Sequence, residues 1–124
     1  MSLEPIIGTV KKYPKGWGKE IWITNNELYC GKILEFNEGA EFSMHYHIKK
    51  DETWAVTKGK LLLKYYDLSN AEEKQRTLVV GDTVHLQPCT PHKLLALEDS
   101  SVFEVSTQHF EDDSYRVGKG DSQK

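Results

Sequence analysis

The sequence predicts an all-β domain, a barrel or sandwich of short strands. Two observations carry this. Short β-like runs recur at close spacing along the whole chain, and turn signals separate them at Asn25-Asn26, Asn37-Glu38-Gly39, Lys58-Gly59, Gly81-Asp82 and Glu98-Asp99-Ser100. No long segment shows the spacing of an amphipathic helix, so helical layers are not expected. Many short strands with frequent turns suit a closed or two-layered β architecture.

The elements follow from these punctuation marks. A strand over Glu20–Thr24 ends at Asn25-Asn26, and the next runs over Glu27–Phe36. Gly39 closes the connection to a third strand, Glu41–His47. A turn at Ile48-Lys49-Lys50 folds the chain back into Glu52–Thr57, and Lys58-Gly59 passes it on to Lys60–Asp67. The polar stretch Leu68–Arg76, with Ser69-Asn70 inside it, reads as a loop between paired strands, the second at Gln75–Val79. Gly81-Asp82 then leads to Thr83–Gln87, His92–Leu97 and, after Glu98-Asp99-Ser100, to Ser101–Gln108. The tail 118–124 is polar and glycine-containing and is expected to fray.

Composition narrows the function classes. A chain of 124 residues is expected to be one domain (1–124, core about 13–110), long enough to bury a core without disulfide staples. The net charge is -3, so no broad basic surface points to nucleic acid or anionic membranes. No apolar run is long enough to span a bilayer, and the first residues lack the apolar segment and cleavage site of a secretory signal. Cys30 and Cys89 do not make a disulfide framework; two reduced thiols in a cytoplasmic protein are expected.

The chemistry concentrates in Gly39-x5-His45-x-His47-x4-Glu52-x6-Gly59. Side chains alternate faces along a strand, so His45 and His47 point the same way. The turn after them brings Glu52 alongside, and His92 follows a second glycine-led segment, Gly81–His92. Imidazoles and a carboxylate converging on one point suit a divalent transition metal: iron, manganese, nickel, cobalt or zinc. Turned into an apolar barrel with no metal or partner, these groups would be costly to bury.

Both segments resemble the two signature motifs of the cupin superfamily. The first matches at Gly39, His45, His47, Glu52 and Gly59, and the second has the Gly81-to-His92 spacing. The second departs where Gln87 replaces a usual proline and where Cys89 replaces a usual glycine. The resemblance covers residues 13 to 118 and implies a double-stranded β-helix (jelly-roll) barrel. It also implies one metal in the barrel mouth, held by His45, His47, Glu52 and His92. A narrower resemblance, carried by Gly16-Trp17-Gly18-Lys19-Glu20 and by Phe103–Thr107 followed by Glu111–Arg116, is to mannose-6-phosphate isomerase type II-like cupin domains.

Three functions stay open. The first is a sugar or sugar-phosphate isomerase or epimerase, in which the metal stabilises the enediolate left when a carbon-bound proton departs. Its base is unassigned; Glu104 is a candidate. Arg116 is the candidate clamp for a phosphate or carboxylate, whereas Lys49 and Lys50 are expected to be solvated surface charges. The second is an iron-dependent dioxygenase with a dry pocket, which Trp54 and Phe42 could line if they do not simply pack the core. The third is a small-ligand-binding or sensor barrel without turnover. His85 should face away from the metal, His109 should be a surface or packing residue, and Cys89 should be a small buried side chain. Unpaired edge strands and the habit of small barrels of this type predict a homodimer, often joined through the N-terminal strand.

Overall fold

The computed structural model describes residues 3–124. Among these residues eleven strands form two antiparallel sheets, and one 3-10 turn follows them. In chain order the strands are β1 (Lys11–Lys15), β2 (Gly18–Asn25), β3 (Cys30–Phe36), β4 (His45–Tyr46), β5 (Glu52–Lys58) and β6 (Lys60–Asp67). They continue with β7 (Glu72–Val79), β8 (Thr83–Leu86), β9 (His92–Ala96), β10 (Ser100–Ser106) and β11 (Tyr115–Arg116). One sheet runs β1-β2-β3-β10-β5-β8, the other β11-β4-β9-β6-β7. This is the all-β double-stranded β-helix expected from the sequence. No helix among the described residues is long and apolar enough to cross a membrane.

Register explains why one end of the barrel is apolar and the other polar. Leu34, Val102 and Val56 sit side by side on β3, β10 and β5. They join Trp17, Phe36, Leu61, Leu63, Leu94 and Ala96 in the core. Two residues further along, the same face carries Lys32 beside Glu104 and then Trp54. Two further still it carries Cys30 beside Ser106 and Glu52. Because side chains alternate with period two, this step keeps all of them inward. The apolar rows close one end, and the polar rows form the mouth.

Gly59 moves the chain from one sheet to the other. It separates β5 from β6 at a φ of +82°, and a Cβ there would lie 2.4 Å from the Asp99 carbonyl oxygen. Only glycine takes that conformation at little cost. Cys89 sits in the same left-handed region, at φ +73°, with its N–H donating to the His47 carbonyl (2.6 Å). The thiol is exposed rather than buried, because the left-handed turn throws the side chain outward.

Several expected boundaries differ. β1 was not apparent in the sequence: Lys-Lys-Tyr-Pro-Lys has no apolar alternation and is exposed throughout. It forms because the Gly16-Trp17 connection folds it onto β2, and Pro14 is tolerated on an edge strand. The expected strand Glu41–His47 contracts to His45–Tyr46, leaving Glu41 only a bridge to Leu95. The loop expected over Leu68–Arg76 is shorter, since Glu72 already pairs with Asp67.

The tail expected to fray lies against the barrel. Asp121 exchanges hydrogen bonds with Glu41, donating from its N–H (2.9 Å) and accepting at Oδ2 (2.6 Å). The Ser122 hydroxyl accepts from the Gly16 N–H (3.0 Å), and Gly120 packs so closely that a Cβ would lie 2.2 Å from the Ser43 nitrogen. Polar composition misleads here because the segment docks through backbone hydrogen bonds, which leave no apolar pattern.

Gly59→Ala should lower stability by about 2 kcal/mol or more, from a left-handed φ and a backbone clash. Cys89→Gly, at a similar φ with no clash, should be neutral or stabilising by about 0.5 kcal/mol. Urea denaturation of the two variants checks the pair; equal losses would contradict the conformations assigned to them.

Candidate metal centre

β4 and β9 bring the histidines together. His45 pairs with His92 across the two strands, and Arg116 on β11 pairs with His45 on the other side. His47 follows two residues after His45, with ring centroids 4.9 Å apart. One ring nitrogen from each of His45, His47 and His92 lies within 4.8 Å of the others. His47 and His92 are buried and His45 is half-buried.

Backbone carbonyls decide which nitrogens face the centre. Nδ1 of His45 lies 2.7 Å from the Ser43 carbonyl, Nδ1 of His47 2.6 Å from that of Asp113, and Nδ1 of His92 2.8 Å from that of Thr90. A carbonyl only accepts, so each Nδ1 carries the proton. Each neutral ring then turns an Nε2 lone pair inward, the arrangement that ligating histidines need. His92 Nε2 is buried and makes no hydrogen bond; Glu52 Oε1 lies 3.3 Å from it. Two electron-pair donors at that distance call for a cation between them. The residues present therefore fit a divalent metal.

Glu52 enters from β5 and is 3% exposed. It is not one of the three groups that cluster within 4.8 Å. Its Oε2 lies 3.4 Å from Lys50 Nζ, which is closer still to Glu104 Oε2, at 3.0 Å. Lys50 is 4% exposed, so the expectation of a solvated lysine is overturned. The charge is buried because carboxylates from β5 and β10 face it. Burial alone would raise the Glu52 pKa, but the Lys50 charge beside it draws it below the usual carboxylate range. Burial would lower that of Lys50, and Glu104 and Glu52 together raise it above the usual lysine range.

Asp113 was not singled out as a site residue. Its buried carboxylate accepts from the N–H groups of Ile48 (2.9 Å), Lys49 (3.1 Å) and Lys50 (3.0 Å), while its carbonyl holds His47. One residue thus fixes both the loop between the ligand strands and a ligand ring. Its signal was the acidic run 111–113, which carries no spacing rule.

A cavity of 180 Å³ opens beside the cluster. Its walls include Lys32, Lys50, Glu104, His109 and Arg116 as well as His45, His47 and Glu52. Lys32 Nζ pairs with Glu20 (3.4 Å) and lies over the Trp22 ring. Arg116 is exposed at the mouth and makes no ion pair among the described residues. Trp54, expected as a substrate contact, is 2% exposed and packs edge-on behind His92, with centroids 5.3 Å apart. Phe42 does line the cavity. His85 faces outward, 2.5 Å from Asp51. His109 packs edge-on to Trp22 and lines the cavity, away from the three-histidine cluster.

No family model matches this chain, and no curated protein matches it in sequence. Solved structures do. The capsular polysaccharide assembling protein CapF from Staphylococcus aureus aligns with a TM-score of 0.76 at 14% identity, over 88% of this chain and 34% of that one. Oxalate decarboxylase from Bacillus subtilis aligns with a TM-score of 0.76 at 16% identity, over 87% of this chain and 30% of that one. Both are cupin-fold proteins. This chain has the cupin fold. It spans about a third of the length of each of these neighbours. CapF is also known in complex with an inhibitor, and the oxalate decarboxylase has Mn(II) centres. The three-histidine cluster of this chain fits a metal-binding barrel.

Burial, and then the charge of His92, lowers the His45 pKa to about 3. Burial, and then Lys32 and Lys50, lowers that of His109 to about 3 as well. Unfolded histidine titrates near ~6.5. The unfolded chain therefore binds more protons between these values. The stability that neutral burial contributes is complete above pH ~6.5 and is lost as pH falls toward 3, by up to about 1.4 kcal/mol per pH unit per histidine. Thermal melts of chelator-treated protein between pH 7.5 and 4.5 should show this decline. A flat profile would contradict neutral burial of both rings.

Proposed function

We propose that this cupin binds one divalent transition metal through His45, His47 and His92, with Glu52 as fourth ligand. We further propose that it acts on a small hydroxylated anion as a sugar or sugar-phosphate isomerase or epimerase. The observation that carries the reading is three inward Nε2 atoms next to a small cavity walled by buried charges. When bound, the metal supplies Lewis acidity toward negative charge developing on adjacent substrate oxygens. Arg116 offers an uncommitted guanidinium for a phosphate or carboxylate at the mouth. Ser43 and Ser114 add hydroxyls to the lining. Glu104 is the carboxylate this reading names to take the carbon-bound proton, since it lines the cavity beside the strand that carries Glu52.

An iron-dependent dioxygenase would use the same ligands. Its apolar substrate would press against Lys32, Lys50 and Glu104, charges it could not compensate. A hydroxylated anion loses less there. Manganese is the first metal to try, given the Mn(II) centres of the oxalate decarboxylase; zinc, iron, nickel and cobalt suit the same donors.

Chelator-treated protein should gain thermal stability on adding Mn(II) or Zn(II), by about 2.7 kcal/mol at a hundredfold excess over Kd. His47→Ala should lose most of that gain, and an unchanged gain would sink the ligand assignment. Solvent deuterium entering a sugar phosphate at carbon, without oxygen consumption, is the result expected of the metal-loaded protein. Oxygen consumption with iron would favour the dioxygenase, and ligand-induced stabilisation without turnover would leave a binding barrel.

We also infer a homodimer. Ile6 and Ile7 are 98% and 91% exposed in the segment ahead of edge strand β1. Side chains so apolar gain from cover by a second copy, and the β1 edge needs a partner too. Ultracentrifugation at micromolar concentration should give a dimer mass. A monomer would reject the proposal. The unpaired thiols Cys30 and Cys89 suit a reducing cytoplasm.

A further inference from the structure

We propose that Lys50 is a built-in competitor of the metal for Glu52, and that Glu104 is the reserve partner that lets Lys50 release it. The proposal rests on the metal reading above and concerns how loading of that site is set.

Three side chains form the device. Lys50 Nζ lies between Glu52 Oε2 at 3.4 Å and Glu104 Oε2 at 3.0 Å, and all three residues are buried. The same Glu52 presents Oε1 to His92 Nε2 at 3.3 Å. One carboxylate thus faces an ammonium on one oxygen and the metal cluster on the other. Two cations near one carboxylate repel each other, and the repulsion is strong where water is excluded. Metal binding therefore works against the charge on Lys50.

Glu104 makes the exchange feasible. A buried lysine that lost its sole partner would be stranded, at a cost large enough to block loading. Lys50 already has the shorter contact with Glu104, which also accepts from the Ser106 hydroxyl (2.9 Å). When the metal takes Glu52, Lys50 keeps a complete ion pair on β10. Without metal, Lys50 neutralises Glu52 and keeps two buried carboxylates on neighbouring strands from repelling one another. The Lys50 backbone is fixed by the Asp113 carboxylate (3.0 Å), so the ammonium works from a set position.

The arrangement predicts opposite effects from the two partners. Lys50→Met removes the competitor, so Mn(II) and Zn(II) should bind about tenfold tighter or more. It also leaves Glu52 and Glu104 unneutralised, so the metal-free protein should melt lower and the rise on adding metal should exceed that of the wild type. Glu104→Gln removes the reserve partner and leaves Lys50 committed to Glu52, so the same metals should bind about tenfold more weakly. Lys50→Arg, which keeps the charge, should stay within about threefold of the wild type. Affinities come from competition with a chromophoric chelator, with Mn(II) and Zn(II) as the probes and no substrate present. A role in packing alone would weaken binding in both Lys50→Met and Glu104→Gln. Wild-type protein that binds metal while Lys50→Met binds no tighter, or Glu104→Gln no weaker, would overturn this proposal and leave the metal centre standing. Wild-type protein that takes up neither metal would overturn both. Should Lys50→Met fail to fold without metal, Lys50→Gln, which also removes the charge, takes its place, with the same tighter binding expected.

Discussion

Burying ionisable groups at one end of a small barrel is the constraint around which the rest of the structure is arranged. The three clustered imidazoles, Lys32, Lys50, Glu52 and Glu104 sit in or beside the mouth. Each must find a partner or the fold loses several kcal/mol. The imidazoles find backbone carbonyls for Nδ1, Lys50 finds two carboxylates, and Lys32 finds Glu20 and the face of Trp22. What stays uncompensated is the set of inward Nε2 lone pairs, His92 most clearly. A site that pairs its buried lysines and carboxylates and leaves the inward imidazole nitrogens open suits a cation.

The apolar rows make this affordable. Leu34, Val102 and Val56 cover the opposite end of the same sheet face, so the charged rows border a dry core on one side only. Trp54 stands at the boundary. It backs His92 with its ring and separates the polar mouth from the leucine core. The position is structural, though its face was legible from alternation with Glu52.

The C-terminal segment has a larger part than its composition suggests. Asp113 holds the loop after His47 and the His47 ring together. Asp121 and Ser122 then pin the chain to Glu41 and Gly16, placing Arg116 at the mouth between the two anchors. The loop after His47 is therefore held by a residue more than sixty positions away in sequence. Backbone-to-side-chain bonds of this kind leave no periodic trace, which is why the segment read as a polar tail.

The sequence alone determined what depends on spacing. Period-two alternation put His45 with His47, and Glu52 with Trp54, on common inward faces. Turn residues marked most strand ends, and Lys60–Asp67 emerged with its expected bounds. Tertiary structure decided what depends on pairing across the chain. It made a strand of the exposed, proline-containing β1 because a neighbour was available to bond it. It buried Lys50, which composition would leave in water, because carboxylates from two strands converge on it. The physical reason is the same in both cases. A local pattern records which face a side chain takes, whereas the free energy of an edge backbone or a buried charge depends on partners that only the folded chain brings near.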